Sequence, residues 1–164
     1  MVNKSCICDE CISYCKTKPG WFLPGEIEMV SEYLGMSLKD LFNEYLSVDW
    51  FLDDDDLDLY PITPAIIGHY NRSGKMFTFN PIGVCIFLVD NRCSIHEVKP
   101  YECRDALHGA DSQYIRGRHR EIARAWKNSK QQSELLGHKA HPIDQTESDN
   151  MMGYPSGHNF FMDQ

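Results

Sequence analysis

Residues 6–15 read C-I-C-D-E-C-I-S-Y-C, and residues 92–104 read R-C-S-I-H-E-V-K-P-Y-E-C-R. With Cys85 between them, these two stretches hold all seven cysteines of the 164-residue chain. Four cysteines in ten polar residues are poorly explained as small buried hydrophobes, the ordinary role of a free cysteine. An odd total in a chain that opens without the apolar stretch of a secretory leader does not suit a disulfide framework. Metal ligation is the leading reading. The two-residue gap between Cys8 and Cys11 lets a short knuckle bring two thiolates to one ion, whereas Cys6 and Cys8 point to opposite faces of an extended backbone and suit different metal atoms.

The later group, Cys85, Cys93 and Cys103, has its own local signals. Pro100 suits the start of a helix running to about Leu107, which puts Cys103 in a first turn where unpaired N–H groups favour a thiolate. Arg104 beside it is a candidate cofactor-binding residue that offsets sulfur charge, and Lys16 and Lys18 can do the same for the first cluster. Residues 84–95 read as a small β-hairpin. A three-residue loop, Asp90 to Arg92, would pair Val89 with Cys93 and put Cys85 and Cys93 on one face; a two-residue turn at Asp90 and Asn91 would separate them. Cys85, bordering the apolar run Ile86 to Val89, also suits a buried structural role.

Counting ligands leaves the cofactor open between zinc and an iron–sulfur cluster. Two tetrahedral zinc ions offer eight positions, which seven cysteines fill with one bridging thiolate or with His96 as an eighth donor. A four-iron cluster uses only four thiolates. The remaining histidines show no metal-ligand spacing except His138 and His141, which read as a solvated pair.

Around the cysteines the pattern is helical. Ile27, Val30 and Leu34 recur at one-face spacing between Pro24 and Gly35, and Ser37 with Asp40 caps a second helix whose stripe of Leu38, Leu41, Phe42 and Tyr45 continues to Leu46. The two form a helix hairpin hinged near Gly35. The run Asp53 to Asp56, with Asp58, lacks the ligand spacing of a calcium loop and reads as a solvated, self-repelling loop. Residues 60–68, with Pro61 and Pro64, read as a connection, followed by a short alternating stretch from Met76 to Phe79. A last helix from Ser112 to Leu136 places Ile115, His119, Ile122, Trp126 and Ser133 toward one side. The expected fold is α+β: a mostly helical small domain with a short β-hairpin and a cysteine-rich, metal-stapled knuckle. Residues 1–137 form the cysteine-cluster domain, and 138–164 form a tail, either mobile or docked by Phe160 and Phe161.

The net charge of −8 argues against nucleic acid as a partner, since sequence-independent phosphate binding rests on clustered Lys and Arg. No apolar run reaches the roughly 18 residues of a membrane span, so no membrane partner is expected and the cytoplasm is the default address. The expected partner is a metal ion, with no protein partner legible.

The stretch Arg92 to Arg104 resembles the signature of the YkgJ-like cysteine-cluster family, described as a zinc- or iron-chelating domain, in which a cysteine is followed by C-x-I-[YH]-x2-[RK]-P-x2-C-R. Cys85, Cys93, Cys103 and Arg104 occupy those later positions. The segment Pro19 to Leu46 is similar to the family's helical part. Where the family has C-x2-C-x2-C-C, this chain has C-x-C-x2-C-x3-C. The resemblance implies a metal centre with Cys6, Cys8, Cys11, Cys15, Cys85, Cys93 and Cys103 as its metal ligands, and no defined reaction. Three functions follow in order: a metal-binding protein of zinc or iron–sulfur type, an iron–sulfur-dependent enzyme or electron carrier acting on a protein or small molecule, and thiol redox chemistry at Cys8 and Cys11. Neither a Ser/His/Asp triad, a nucleotide-binding glycine loop nor a zinc-protease motif is present.

Overall fold

Two short helices with opposite ends well marked in the sequence frame the first half of the fold. The computed structural model describes residues 9–55, 57–67, 74, 83–104, 111–127 and 129–136. Helix α1 spans Asp9–Thr17, α2 Glu26–Leu34 and α3 Leu38–Tyr45. Helix α2 buries Ile27 and Val30 and stops at Gly35, whose φ of +65° is open to glycine at no steric cost. The N–H of Met36 reaches Ser31 O at 3.0 Å and that of Gly35 reaches Glu32 O at 3.2 Å, closing the helix end. Ser37 Oγ then accepts the Asp40 N–H at 3.1 Å and caps α3, as its spacing predicts.

The apolar stripe of α3 ends one residue earlier than expected, because Leu46 already belongs to a strand. Strand β1, Leu46–Val48, pairs antiparallel with β4, Ile62–Pro64, and between them β2, Phe51–Leu52, pairs with β3, Asp58–Leu59. The expected connection at 60–68 is thus partly strand: Pro61 precedes β4 and Pro64 ends it, positions where a missing N–H costs least. Strand β5, Ile66–Ile67, pairs with β6, Val84–Cys85, in the register Ile66↔Cys85. The alternating stretch at 76–79 and the tail beyond 137 lie outside the described residues.

The hairpin near residue 90 corrects the expected register. Strand β7, Leu88–Val89, and β8, Arg92–Cys93, pair as Val89↔Arg92 and Leu88↔Cys93, so the turn has two residues, not three. Asp90 and Asn91 have φ of 49° and 58°. Both tolerate the left-handed region, and this turn matches the twist of the flanking strands.

After a single 3-10 turn, His96–Val98, helix α4 covers Tyr101–Arg104 and α5 covers Ser112–Lys127. The expected single helix to Leu136 is broken: α6, Lys130–Leu136, starts after the Ser129 N–H bonds Trp126 O at 2.9 Å. The break keeps Trp126 in the core, its indole N–H on Phe22 O at 2.5 Å. It also brings Gln131 Oε1 to the Gly25 N–H at 2.9 Å and Gln132 Nε2 to Tyr60 O at 2.5 Å. Trp21, Phe22, Ile27, Leu41, Leu46, Ile62, Phe87, Ile95, Ile122 and Trp126 are all buried around one centre. The outcome is the α+β arrangement of helices and small antiparallel hairpins expected from the sequence. Among the described residues no helix is long and apolar enough to cross a membrane.

The acidic run is the second correction. Asp53 is 2% exposed, and its two oxygens face Arg120 Nε at 2.9 Å and Arg124 Nε at 2.5 Å. The Arg120 contact is an ion pair without hydrogen-bond alignment. Asp54 meets Arg116, with Nε at 3.0 Å, and also Arg120, while Asp55 meets Arg124. Arginines at positions 116, 120 and 124 recur every four residues on α5 and form a ledge that neutralises the turn. Because Asp53 is buried and Asp55 exposed, Asp53→Ala should lower stability by about 2 kcal/mol in denaturant titration and Asp55→Ala by about 0.5 kcal/mol or less. Asn91→Gly should leave stability unchanged or raise it by about 0.5 kcal/mol, since glycine adopts this turn without strain.

Candidate metal centre

Cysteine-bearing segments that are far apart in sequence meet around a cavity of about 320 Å³. Cys11 and Cys15 come from α1, Cys85 from the end of β6, Cys93 from the end of β8 and Cys103 from α4, and all five line it. The expected knuckle at 6–15 is helical from Asp9 onward, which sets Cys11 and Cys15 four residues apart on one helix face. Cys6 and Cys8 lie outside the described residues. Helix α1 is tied to this position where the Gly83 N–H reaches Thr17 O at 2.8 Å, just ahead of β6.

Cys85 and Cys93 share the cavity despite the two-residue turn. Alternation of faces holds along a continuous strand, but the chain turns at Ile86 and Phe87, between β6 and β7. That turn resets the parity. It also aims the backbone N–H groups of Phe87 and Leu88 at the Cys85 sulfur, while the Ile95 N–H points at the Cys93 sulfur and the Gly20 N–H at that of Cys103. Amide donors directed at sulfur favour the thiolate and are one of the means by which a protein tunes a metal–sulfur centre.

Burial acts in the opposite direction. It pushes the Cys85 thiol up to about 12, against the Phe87 and Leu88 donors and with added repulsion from Cys15 and Cys93. It drives Cys103 well above the ordinary thiol range, reinforced by Glu102, Cys15 and Cys85. Cys15 is raised by burial and by Cys93, Cys93 by burial alone, and Lys99 opposes both shifts. The four thiols therefore resist joint ionisation; a bound metal ion would invert this balance and hold its thiols deprotonated. Soft thiol donors with amide support fit zinc or an iron–sulfur core. Among the described residues, no three Cys, His, Asp or Glu side chains stand close enough together to hold an ion as placed.

Arg104, expected to offset sulfur charge, is not among the residues lining the cavity. Its guanidinium pairs with the buried Glu26, and its Nε bonds Lys99 O at 3.1 Å. Lys18 and Lys99 supply the cavity's positive charge, although Lys18 also pairs with Asp49 at 3.3 Å. His96 lines the cavity, and burial, then Lys99, push its pKa down against Glu97.

Sequence reasoning passed over Glu102 and His119. His119 Nε2 lies 2.6 Å from Glu102 Oε1, and Glu102 Oε2 accepts the Trp21 N–H at 2.6 Å. The signal available was the inward position of His119 on its helix; its partner, 17 residues earlier, carries no spacing signature. Gly20 has a steric reason to be glycine, since a Cβ there would stand 2.7 Å from Cys103 Sγ.

No protein-family model, curated protein or solved structure matches this chain.

The raised thiols set the pH response of the reduced, metal-free protein. Its folded state holds the Cys85 and Cys103 protons more tightly than the unfolded chain, so this stabilisation is complete below the ordinary thiol range and is lost as pH climbs toward about 12. The denaturant midpoint should fall steadily from about pH 8.5 upward, a trend that Cys85→Ser should flatten. At pH 8, alkylation mapped by mass spectrometry should label Cys11 well before Cys85 and Cys103.

Proposed function

We propose that this chain is a metal-binding cysteine-cluster protein whose centre takes zinc or an iron–sulfur core. The observation that carries the reading is that Cys11, Cys15, Cys85, Cys93 and Cys103, from four separate elements, all line one cavity. The N–H groups directed at three of those sulfurs, and the resemblance of residues 92–104 to the YkgJ-like signature, support it further. Cys6 and Cys8, next to α1, complete the proposed ligand set. In this reading the ion joins the N-terminal helix to the hairpin and α4, and its binding adds to the free energy of folding.

The size of the cavity favours a second reading, an iron–sulfur centre that serves an enzyme or electron carrier. A volume near 320 Å³ exceeds the space of a single ion and lies at the lower end of small-molecule sites. Bound iron–sulfur would supply one-electron chemistry; the chain itself supplies the sulfur ligands, the amide donors and the apolar wall of Trp21 and Ile95.

Anaerobic purification followed by elemental analysis tests both. Colourless protein with stoichiometric zinc supports a structural or binding centre, and brown protein with iron and acid-labile sulfide supports the second reading. Protein devoid of both removes the proposal. Cys85→Ser and Cys93→Ser should each lower metal content severalfold, and chelation should lower the thermal midpoint by several degrees, with zinc or reconstituted cluster restoring it.

A further inference from the structure

Apart from its sulfurs, the cavity has the make-up of an organic-ligand site. Trp21, Pro64, Phe87, Ile95, Pro100 and Ile115 border it, and Trp21, Phe87 and Ile95 are buried side chains of the core. The cysteines add to this character, since a thiol packs as a small hydrophobe. Apolar cavities of about 150 Å³ take up benzene, so a volume of about 320 Å³ has room for roughly ten to twelve heavy atoms.

Two lysines border the cavity, and they differ in what holds them. Lys18 is engaged: its ammonium lies 3.3 Å from the buried Asp49 and 5.6 Å from the centre of the Trp21 ring. The charge of Lys99 acts on Cys15, Cys93 and His96, all of which border the same space, which puts its ammonium on that side. Among the described residues no carboxylate or other acceptor holds that ammonium. Glu102, the one carboxylate on the wall, has both oxygens occupied, by the Trp21 N–H at 2.6 Å and by His119 Nε2 at 2.6 Å.

Ligand sites combine apolar walls with a few polar groups that fix orientation, and a cation half-withdrawn from water gains most from an anionic partner. We infer that this cavity binds a small organic carboxylate with an apolar body of roughly eight to ten carbons, its carboxylate on Lys99 and its body against Trp21, Phe87 and Ile95. A charge-assisted bond is about twice as strong as a neutral one, so Lys99 selects a carboxylate over an alcohol of equal length. A cationic amphiphile meets like charge there. The inference does not rest on the metal-centre reading, since no cysteine is asked to ligate.

Octanoate is the probe, titrated calorimetrically into the full chain as purified under reductant, beside 1-octanol and octylammonium, which share its length. Octanoate should bind about tenfold or more tighter than 1-octanol, and octylammonium should bind weakest. Lys99→Met should weaken octanoate by about tenfold or more, the loss of one charge-assisted bond, without changing 1-octanol, whereas Lys99→Arg should keep octanoate within about threefold. Lys16→Met, at an exposed position of α1 that does not border the cavity, should change none of the three. Octanoate that does not bind at millimolar concentration, equal uptake of the three probes, or octanoate affinity that survives Lys99→Met each overturns the inference. Should Lys99→Met fail to fold, the order of the three probes in the unmodified chain decides. Elemental analysis of the same sample reports on the metal centre separately: octanoate bound by a chain devoid of zinc and iron upholds this inference and removes that reading, and a zinc- or iron-loaded chain that ignores octanoate does the reverse.

Discussion

Two carboxylates tie the helix that carries Cys103 to the turn at residues 20–26 and to α5. Glu26 Oε2 accepts the Leu23 N–H at 2.7 Å and the Tyr101 N–H at 3.0 Å, while Oε1 takes Arg104. Glu102 accepts the Trp21 N–H and meets His119. The bonds to Tyr101, Arg104 and Trp21 join the turn at residues 20–26 to α4, and the Glu102–His119 contact joins α4 to α5. Charge-assisted bonds of this kind contribute about 1.5–3 kcal/mol each, and leaving such a carboxylate buried without them costs more. The position of Cys103 follows from this network: it lies between Glu102 and Arg104, both anchored, with Gly20 against its sulfur.

The same network explains why Arg104 serves structure here. A guanidinium close to a cysteine is well placed in sequence to temper thiolate charge, yet the buried Glu26 is the stronger claimant. Glu26 in turn supplies the N-terminal partner that the four-residue α4 cannot provide for itself, accepting the N–H of its first residue. A helix that short has little stability of its own, so its cysteine is held by tertiary bonds.

What the sequence disclosed was local. Gly35 as a helix stop, Ser37 with Asp40 as a cap and Val30 on an inner face are decided within a turn of chain, and the structure keeps all three. The Asp53 turn misled because its partners, Arg120 and Arg124, lie about 70 residues away. An isolated acidic run has only self-repulsion to argue from. Strands β1 and β4 escaped notice for a related reason: three residues carry no period, and pairing across the intervening chain, Ser47 with Thr63, defines them. The gathering of Cys85 and Cys93 was anticipated on an incorrect register and achieved by the turn at Ile86 and Phe87, where the two-residue alternation lapses. His119 and Glu102 lay among polar positions with no motif between them.

The break between α5 and α6 has a consequence for biosynthesis. Trp126 seals the core by donating to Phe22 O, and Gln131 returns to Gly25, across 104 and 106 positions respectively. A nascent chain emerging from the ribosome cannot close its interior around Phe22 until those late residues leave the exit tunnel. Through most of translation the Trp21–Phe22 surface is exposed, along with the cysteines beside it. Vectorial synthesis thus favours late, concerted collapse over stepwise folding from the N-terminus.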